Sequence, residues 1–461
     1  MDNNTLWSLR LGFTSQQAPC IEKQGLDDFL ISSFQSKWKK GIPAFLSDEP
    51  KSIQELRAVR MSLNKATDEK KKALQKDSRE VKLAMKAWWI DEMRSQEFPL
   101  REKMVCFWHN HFVATSQKVK VNYWIYQHNQ TLRDNAFGNF RELTKKMIGT
   151  NAMVRYLDNV DNRKGKINEN LSRELLELFT LGIGNFSEVD IKNGALALAG
   201  LGVGDTQAEY RRVFESTDEI GFLGKRGRFK ANDLVDIIFE QPKAPYLITR
   251  KLLKWFIYDE PKEELVKYYG DFLREVDFEI EPFLAKLFKE EFEKETSGSK
   301  IKDSLVYVLQ LIQELKIDQV DSKAIALFCQ QQGMDLFNQP NVKGWDGGRS
   351  WLTSQRLLQR NQISDLVCGG RNLSRRSAQN RMVSAKNRQQ FQPNLEWNRD
   401  GDTKSIISEL SERLLFHIDD TLKTDMNEVI KYDFNPKSEN ADQVVLRLFN
   451  FISKTPEFQL I

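Results

Sequence analysis

The stretch NENLSRELLELFTLGIGNF at residues 168–186 decides how the rest of the chain is read. At 100° per residue, Leu171, Leu175, Leu178 and Phe179 form one apolar stripe, the pattern of a helix that lies against a core. Asn168 stands where an N-cap belongs, and Gly182 and Gly184 stand where such a helix stops. Beside the stripe, rather than opposite it, Asn170, Glu174 and Glu177 follow at i, i+4 and i+7. Three oxygen-bearing side chains on one ridge next to buried surface can hold a cation or place a general acid and base. Arg173 lies four residues from both Glu169 and Glu177, so helix-stabilising charge pairs, at about 0.2–0.5 kcal/mol each, account for the same letters.

The same spacing recurs on both sides of this stretch. Met104, Val105, Trp108, His111 and Phe112 keep it, as do Ile125 and Leu132, and then Phe140, Leu143 and Met147. It predicts helices over 188–200, 232–240, 243–258, 262–275, 280–295 and 301–315, with a closing pair at 403–417 and 441–453. Residues 50–95 are highly charged and end in Leu83, Met85, Trp88, Trp89 and Met93, which reads as one or two long helices, partly in solvent. A small hairpin is expected within 211–224. With 24 glycines and 12 prolines in 461 residues, the chain falls below the average usage of about 7% and 5% and is too poor in turns for a β-sandwich or barrel. The expected fold is all-α, a large multi-helix domain with at most a small hairpin. Residues 371–402 are basic and rich in Gln, Asn and Ser, the composition of a flexible linker. The expected organisation is a helical main body at 1–370, a linker or insertion at 371–402, and helices at 403–461 that pack on the main body.

Hydrophobic residues at 40% and charged residues at 29% are ordinary globular usage. A formal charge of +4 is too small in a chain this long to demand nucleic acid or an anionic membrane. The basic stretch carries only Phe391 and Trp397 as interleaved aromatics, so nucleic acid is not an expected partner. Cys20, Cys106, Cys329 and Cys368 are widely spaced and spell neither a disulfide framework nor a structural zinc site. The first residues lack the order of a secretory signal, and no apolar run reaches 18 residues. The expectation from the letters is a cytoplasmic protein with no integral membrane segment. The strings of a P-loop, a GxSxG elbow, an HExxH helix, an EF-hand and a dinucleotide fingerprint are all missing.

Two further constellations carry chemistry. His109-Asn110-His111 holds two of the four histidines. On a strand it would be a metal pair, but the helical spacing around it puts the imidazoles about 200° apart and stacks His111 over Phe107. Pro340-Asn341-Val342-Lys343-Gly344-Trp345-Asp346-Gly347-Gly348 has three glycines in five positions, followed by Trp351. Such a loop permits close backbone approach, and its tryptophans offer flat faces to a sugar or to a core. Lys343, with Arg163 and Lys164 of the NRKG string, could form an anion-binding rim.

Five strings then stand in order: FWHNHF at 107–112, GNFREL at 138–143, NRKG at 162–165, the opening stretch, and PNVKGWDGG at 340–348. With LRLGFT at 9–14 and PEFQLI at 456–461, the chain resembles, nearly end to end, the bacterial family called domain of unknown function 1800. The resemblance carries no established activity. Many relatives are exported and occur beside a sulfatase-like family, domain of unknown function 1501, which implies an envelope location and a partner of that kind. Relatives often show a histidine-aspartate pair and a lysine before the string FLG at 222–224, where this chain has Glu215, Ser216 and Ile220. The tryptophan they often place after the small-residue helix is replaced in the region of Leu201.

Two functional expectations follow. The first is a metal- or carboxylate-assisted hydrolase acting on an envelope or extracellular substrate. Glu174 and Glu177 would serve as ligands or acid and base, His109 or His111 as ligand or proton carrier, and Arg173 would orient a carboxylate. His111, Glu174 and Glu177 would hold a divalent metal, and Asn110, Arg163, Lys164, Asn168, Asn170, Asn341, Lys343 and Trp345 would meet the substrate. The second is a non-enzymatic helical binding protein that docks a partner such as the sulfatase-like one, favoured by the lost histidine-aspartate pair. A solvent-connected pocket joining His111 to the two glutamates separates the first from the second.

Overall fold

Apolar residues at three- and four-residue spacing become helix at each of the predicted segments. The computed structural model describes residues 1–373, 391–430 and 434–461. Among them Glu188–Ala197, Ala231–Glu240, Ala244–Phe256, Glu263–Glu275, Ile280–Phe292, Ser304–Glu314, Thr403–Leu414 and Ala441–Ile452 are helical. The fold is all-α as expected. Helices Asn3–Leu11, Ala18–Gln35, Ser322–Gln331, Ser354–Cys368 and Asp420–Ile430 add to those anticipated. The charged region makes two helices, Ile53–Asn64 and Asp68–Ser95. Ser52 and Glu55 cap the first reciprocally, and the Thr67 hydroxyl caps the second. The first buries no residue, and the second buries side chains only from Met85 onward, so this pair stands out into solvent.

Two antiparallel hairpins interrupt the helices. Leu201–Gly202 pairs with Glu209–Tyr210, and Ile220–Phe222 pairs with Lys225–Gly227. The second lies partly beyond the segment where one hairpin was expected. Its two-residue turn, Leu223 and Gly224, has both φ angles positive at 48° and 84°, the twist that suits a tight hairpin. Residues 212–214 form a 3-10 turn instead of a strand.

The Leu100–His111 helix runs through the middle of the core and is buried along most of its length. It carries Glu102, which is 1% exposed. Arg133 donates to both Glu102 carboxylate oxygens, at 2.6 and 2.8 Å, and Trp89 Nε1 donates at 2.9 Å. A buried charge is tolerable only when so fully paired. Most of the linker expected at 371–402 lies outside the described residues. From its described part, Trp397 and Arg399 reach Asp442 of the Ala441–Ile452 helix. Among the described residues, no helix is long and apolar enough to cross a membrane.

Candidate functional site

The helix that begins at Asn170 does not keep its period. Asn168 accepts from the Asn170 amide at 3.0 Å and so opens the first turn. Regular α-helix then lasts only to Glu174, and Leu175–Thr180 is a π-helix. The Leu181 amide reaches Leu176 O at 2.9 Å, one residue further than an α-helix allows. The wider turn advances fewer degrees per residue, so Asn170, Glu174 and Glu177 do not follow the single ridge that a 100° wheel draws. Arg173 pairs with Glu169 at 3.1 Å and with Glu188 at 3.0 Å, not with Glu177. Glu174 is half-buried beside Glu177, and burial together with that neighbour holds its carboxyl above the ordinary range against Arg173 and Lys343.

A helix end leaves its last carbonyls without partners inside the helix. Here two side chains take them. His111 Nε2 lies 3.1 Å from Phe179 O, and Lys251 Nζ donates to Leu178 O at 2.8 Å. Lys251 Nζ also lies 3.2 Å from His111 Nδ1. Since a carbonyl only accepts, Nε2 carries the proton and Nδ1 accepts from the lysine. Burial, then Lys251, draws the His111 imidazole well below its usual range, and burial draws the Lys251 ammonium down to about 8. His111 is stacked on Phe107 at 6.1 Å and 12° between planes, as helical spacing required.

Both His111 nitrogens are thus engaged within the protein. Among the described residues no group of three or more His, Cys, Asp or Glu side chains is gathered to hold a metal ion. Of the set His111, Glu174 and Glu177, the histidine meets a carbonyl of the π turn, Phe179 O, rather than either carboxylate. His109, on the other side of its helix, lies in the core against Trp89, His128 and Phe337. Burial, then His128, keeps it neutral.

The glycine loop approaches a chain rather than a ligand. Asn110 Oδ1 accepts from the Trp345 amide at 2.7 Å. Gly344 has φ of 92°, and a Cβ there would stand 2.6 Å from Asn110 O. Asn341 shapes the turn, accepting from the Lys343 amide at 2.8 Å. The loop so pinned closes one side of a cleft of about 340 Å³. Trp345 and Trp351 line it with Trp255 and Phe107, as do His111 and Lys251. Five basic side chains, Arg250, Lys251, Lys254, Lys300 and Lys343, line it against three acidic ones, Asp259, Asp303 and Asp346. Arg250 is paired with Glu263, Lys300 faces Asp259, and Lys103 pairs with Asp303. The indole N–H groups of Trp255 and Trp345 are buried and find no acceptor in the protein.

Of the residues singled out in sequence, Asn110, His111, Lys343, Trp345 and Trp351 are among those that line this cleft. Glu174 is tied to it only through the field of Lys343. Arg163 and Lys164 do not line it. Their loop closes on itself through Arg163 and Lys166 and is held by Phe214, whose carbonyl accepts from the Lys164 amide at 2.8 Å. Glu215 forms an ion pair with Lys230 at 2.6 Å. The reading missed Lys251, Lys254 and Trp255. Their signal was the i, i+4 pair Lys251 and Trp255 on a basic helix face, which looks like any solvated face until the loop at 344–351 covers it.

Comparison with curated proteins and with solved structures returns no match. The sequence model of the family described as "Protein of unknown function (DUF1800)" matches residues 5–460, and the chain belongs to that family.

Proposed function

We propose that this chain is a helical binding protein whose cleft between Trp255, Trp345 and Trp351 takes a small organic anion with a flat or sugar-like face. The observation that carries this is the lining itself: aromatic walls, a surplus of basic side chains, and two indole N–H donors without acceptors. Aromatic faces reward a flat ligand, while Lys254 and Lys343 reward its charge. Docking of a partner, such as a sulfatase-like protein of domain of unknown function 1501, and action in the envelope or outside the cell belong to the same reading.

The test is calorimetric titration with two flat-faced acids, glucuronate and 4-(hydroxymethyl)benzoate. We expect binding that weakens with salt and falls at least about tenfold in Trp351→Ala and in Lys343→Glu, the loss of a well-packed anchor or a facing charge. If neither acid binds, or if both variants bind as the parent does, the proposal is wrong.

One observation favours hydrolysis as a second reading. Burial and the neighbouring Glu177 raise the Glu174 carboxyl, which also lies within the field of Lys343 of the cleft, and two adjacent carboxyls can divide the roles of acid and base. Turnover of a glucuronide that Glu174→Gln abolishes would move the protein to this class.

A further inference from the structure

We propose that the Lys251 amine is a nucleophile that captures the carbonyl carbon of a small anionic aldehyde or 2-oxo acid as an imine inside the cleft. The inference rests on the reading of the cleft as a ligand site and adds a covalent step to it.

The geometry begins with the two bonds that Lys251 Nζ makes. It donates to Leu178 O at 2.8 Å and meets His111 Nδ1 at 3.2 Å. His111 Nε2 faces Phe179 O, which fixes Nδ1 as an acceptor. Two donated bonds use both N–H groups of a neutral amine and leave its lone pair over. An ammonium in the same place has a third N–H, and no carboxylate forms an ion pair with Lys251 among the described residues. Burial accordingly brings the group down to about 8, the behaviour of lysines that form Schiff bases. Lys251 lines the cleft with Trp255, four residues on along the same helix, and Lys254 and Lys343 supply charge for the ligand's acid group.

The step balances without a further reagent. The nitrogen lone pair forms a C–N bond while the carbonyl pair moves to oxygen, which takes a proton from the nitrogen. Loss of that hydroxyl with the second nitrogen proton, as water, leaves the imine. His111 is a positioning residue: its Nδ1 orients the amine and touches no substrate atom.

The competing account is that Lys251 only caps the carbonyl end of the 170–180 helix, where a cation is welcome. Treating the full chain at pH 8 with 4-carboxybenzaldehyde and sodium cyanoborohydride separates the two, because reduction fixes any imine as a benzylamine that peptide mass spectrometry locates. We expect Lys251 to be labelled at least about tenfold faster than Lys192, an exposed lysine outside the cleft that serves as the internal reference. We also expect 4-(hydroxymethyl)benzoate, which has the same acid and ring but no carbonyl, to slow the labelling of Lys251 by competing for the cleft. Labelling of Lys251 no faster than Lys192 overturns the inference. If 4-(hydroxymethyl)benzoate or glucuronate still binds in that case, the cleft reading survives alone; if neither binds, both readings fall.

Discussion

Gly344 ties the loop of the cleft to the helix beneath it, and no other residue fits there. Its φ of 92° disfavours any side chain, and the carbonyl of Asn110 lies where a Cβ would go. Gly347 makes a useful contrast, since its φ is also positive, at 69°, yet the nearest atom to a Cβ there is Trp351 Nε1 at 3.6 Å. Gly344→Ala therefore carries both a backbone cost and a collision, and Gly347→Ala only the first. We expect losses of about 2–4 kcal/mol and about 1 kcal/mol respectively, measured by chemical denaturation. Equal losses at the two positions would mean that the contact with Asn110 is not what holds the loop.

At the scale of elements, stability is unevenly distributed. The Ile53–Asn64 helix and the first half of the Asp68–Ser95 helix bury almost nothing, whereas Met85, Trp89, Ile90 and Met93 are sealed in the core. A helix held by caps and local charge pairs alone is marginal in water. Its amides should exchange hydrogen orders of magnitude faster than those beyond Met85, within one continuous helix, and uniform protection along 68–95 would show that something covers the arm. Elements were also where the sequence was most readable. The apolar spacing of Phe140, Leu143 and Met147, or of Ile248, Leu252 and Phe256, had one solution, a helix with that face inward. The candidate site was less readable because it depends on departures from regularity. A π turn at Leu175–Thr180 moves Glu177 off the expected ridge and turns carbonyls toward His111 and Lys251, and no residue type announces a π turn. The helix bearing Lys251 and Trp255 was foreseen, but its partner across the cleft lies about a hundred residues away in sequence, and periodicity says nothing about such pairings.

The whole molecule folds around neutral imidazoles, and that sets its response to acid. His109, His111 and His128 are all buried, and His128 is held between Phe112 O at 2.8 Å and Thr150 Oγ1 at 3.2 Å. Burial pulls His128 down to about 4, and its bond to the Phe112 carbonyl offsets only part of that. In the unfolded chain each of these histidines takes up its proton near pH 6.5. Between about pH 4 and 6.5 the unfolded chain thus binds more protons than the folded one, so stability rises with pH across that window and is lost as pH falls. Carboxyls held above their ordinary range, those of Glu49, Glu92, Glu174 and Asp335, act in the opposite sense over part of it. They are less deeply buried than the imidazoles, so the histidines prevail. From its shift, His128 alone contributes about 2–3 kcal/mol of the loss between pH 7 and pH 4.5. Urea denaturation at the two pH values, on the parent and on His128→Gln, isolates that share. The variant is less stable at pH 7 because a buried bond is disturbed, yet it should lose less on acidification. An unchanged acid slope in the variant would mean that His128 is already charged in the fold, and that the core around the Leu100–His111 helix is wetter than its burial implies.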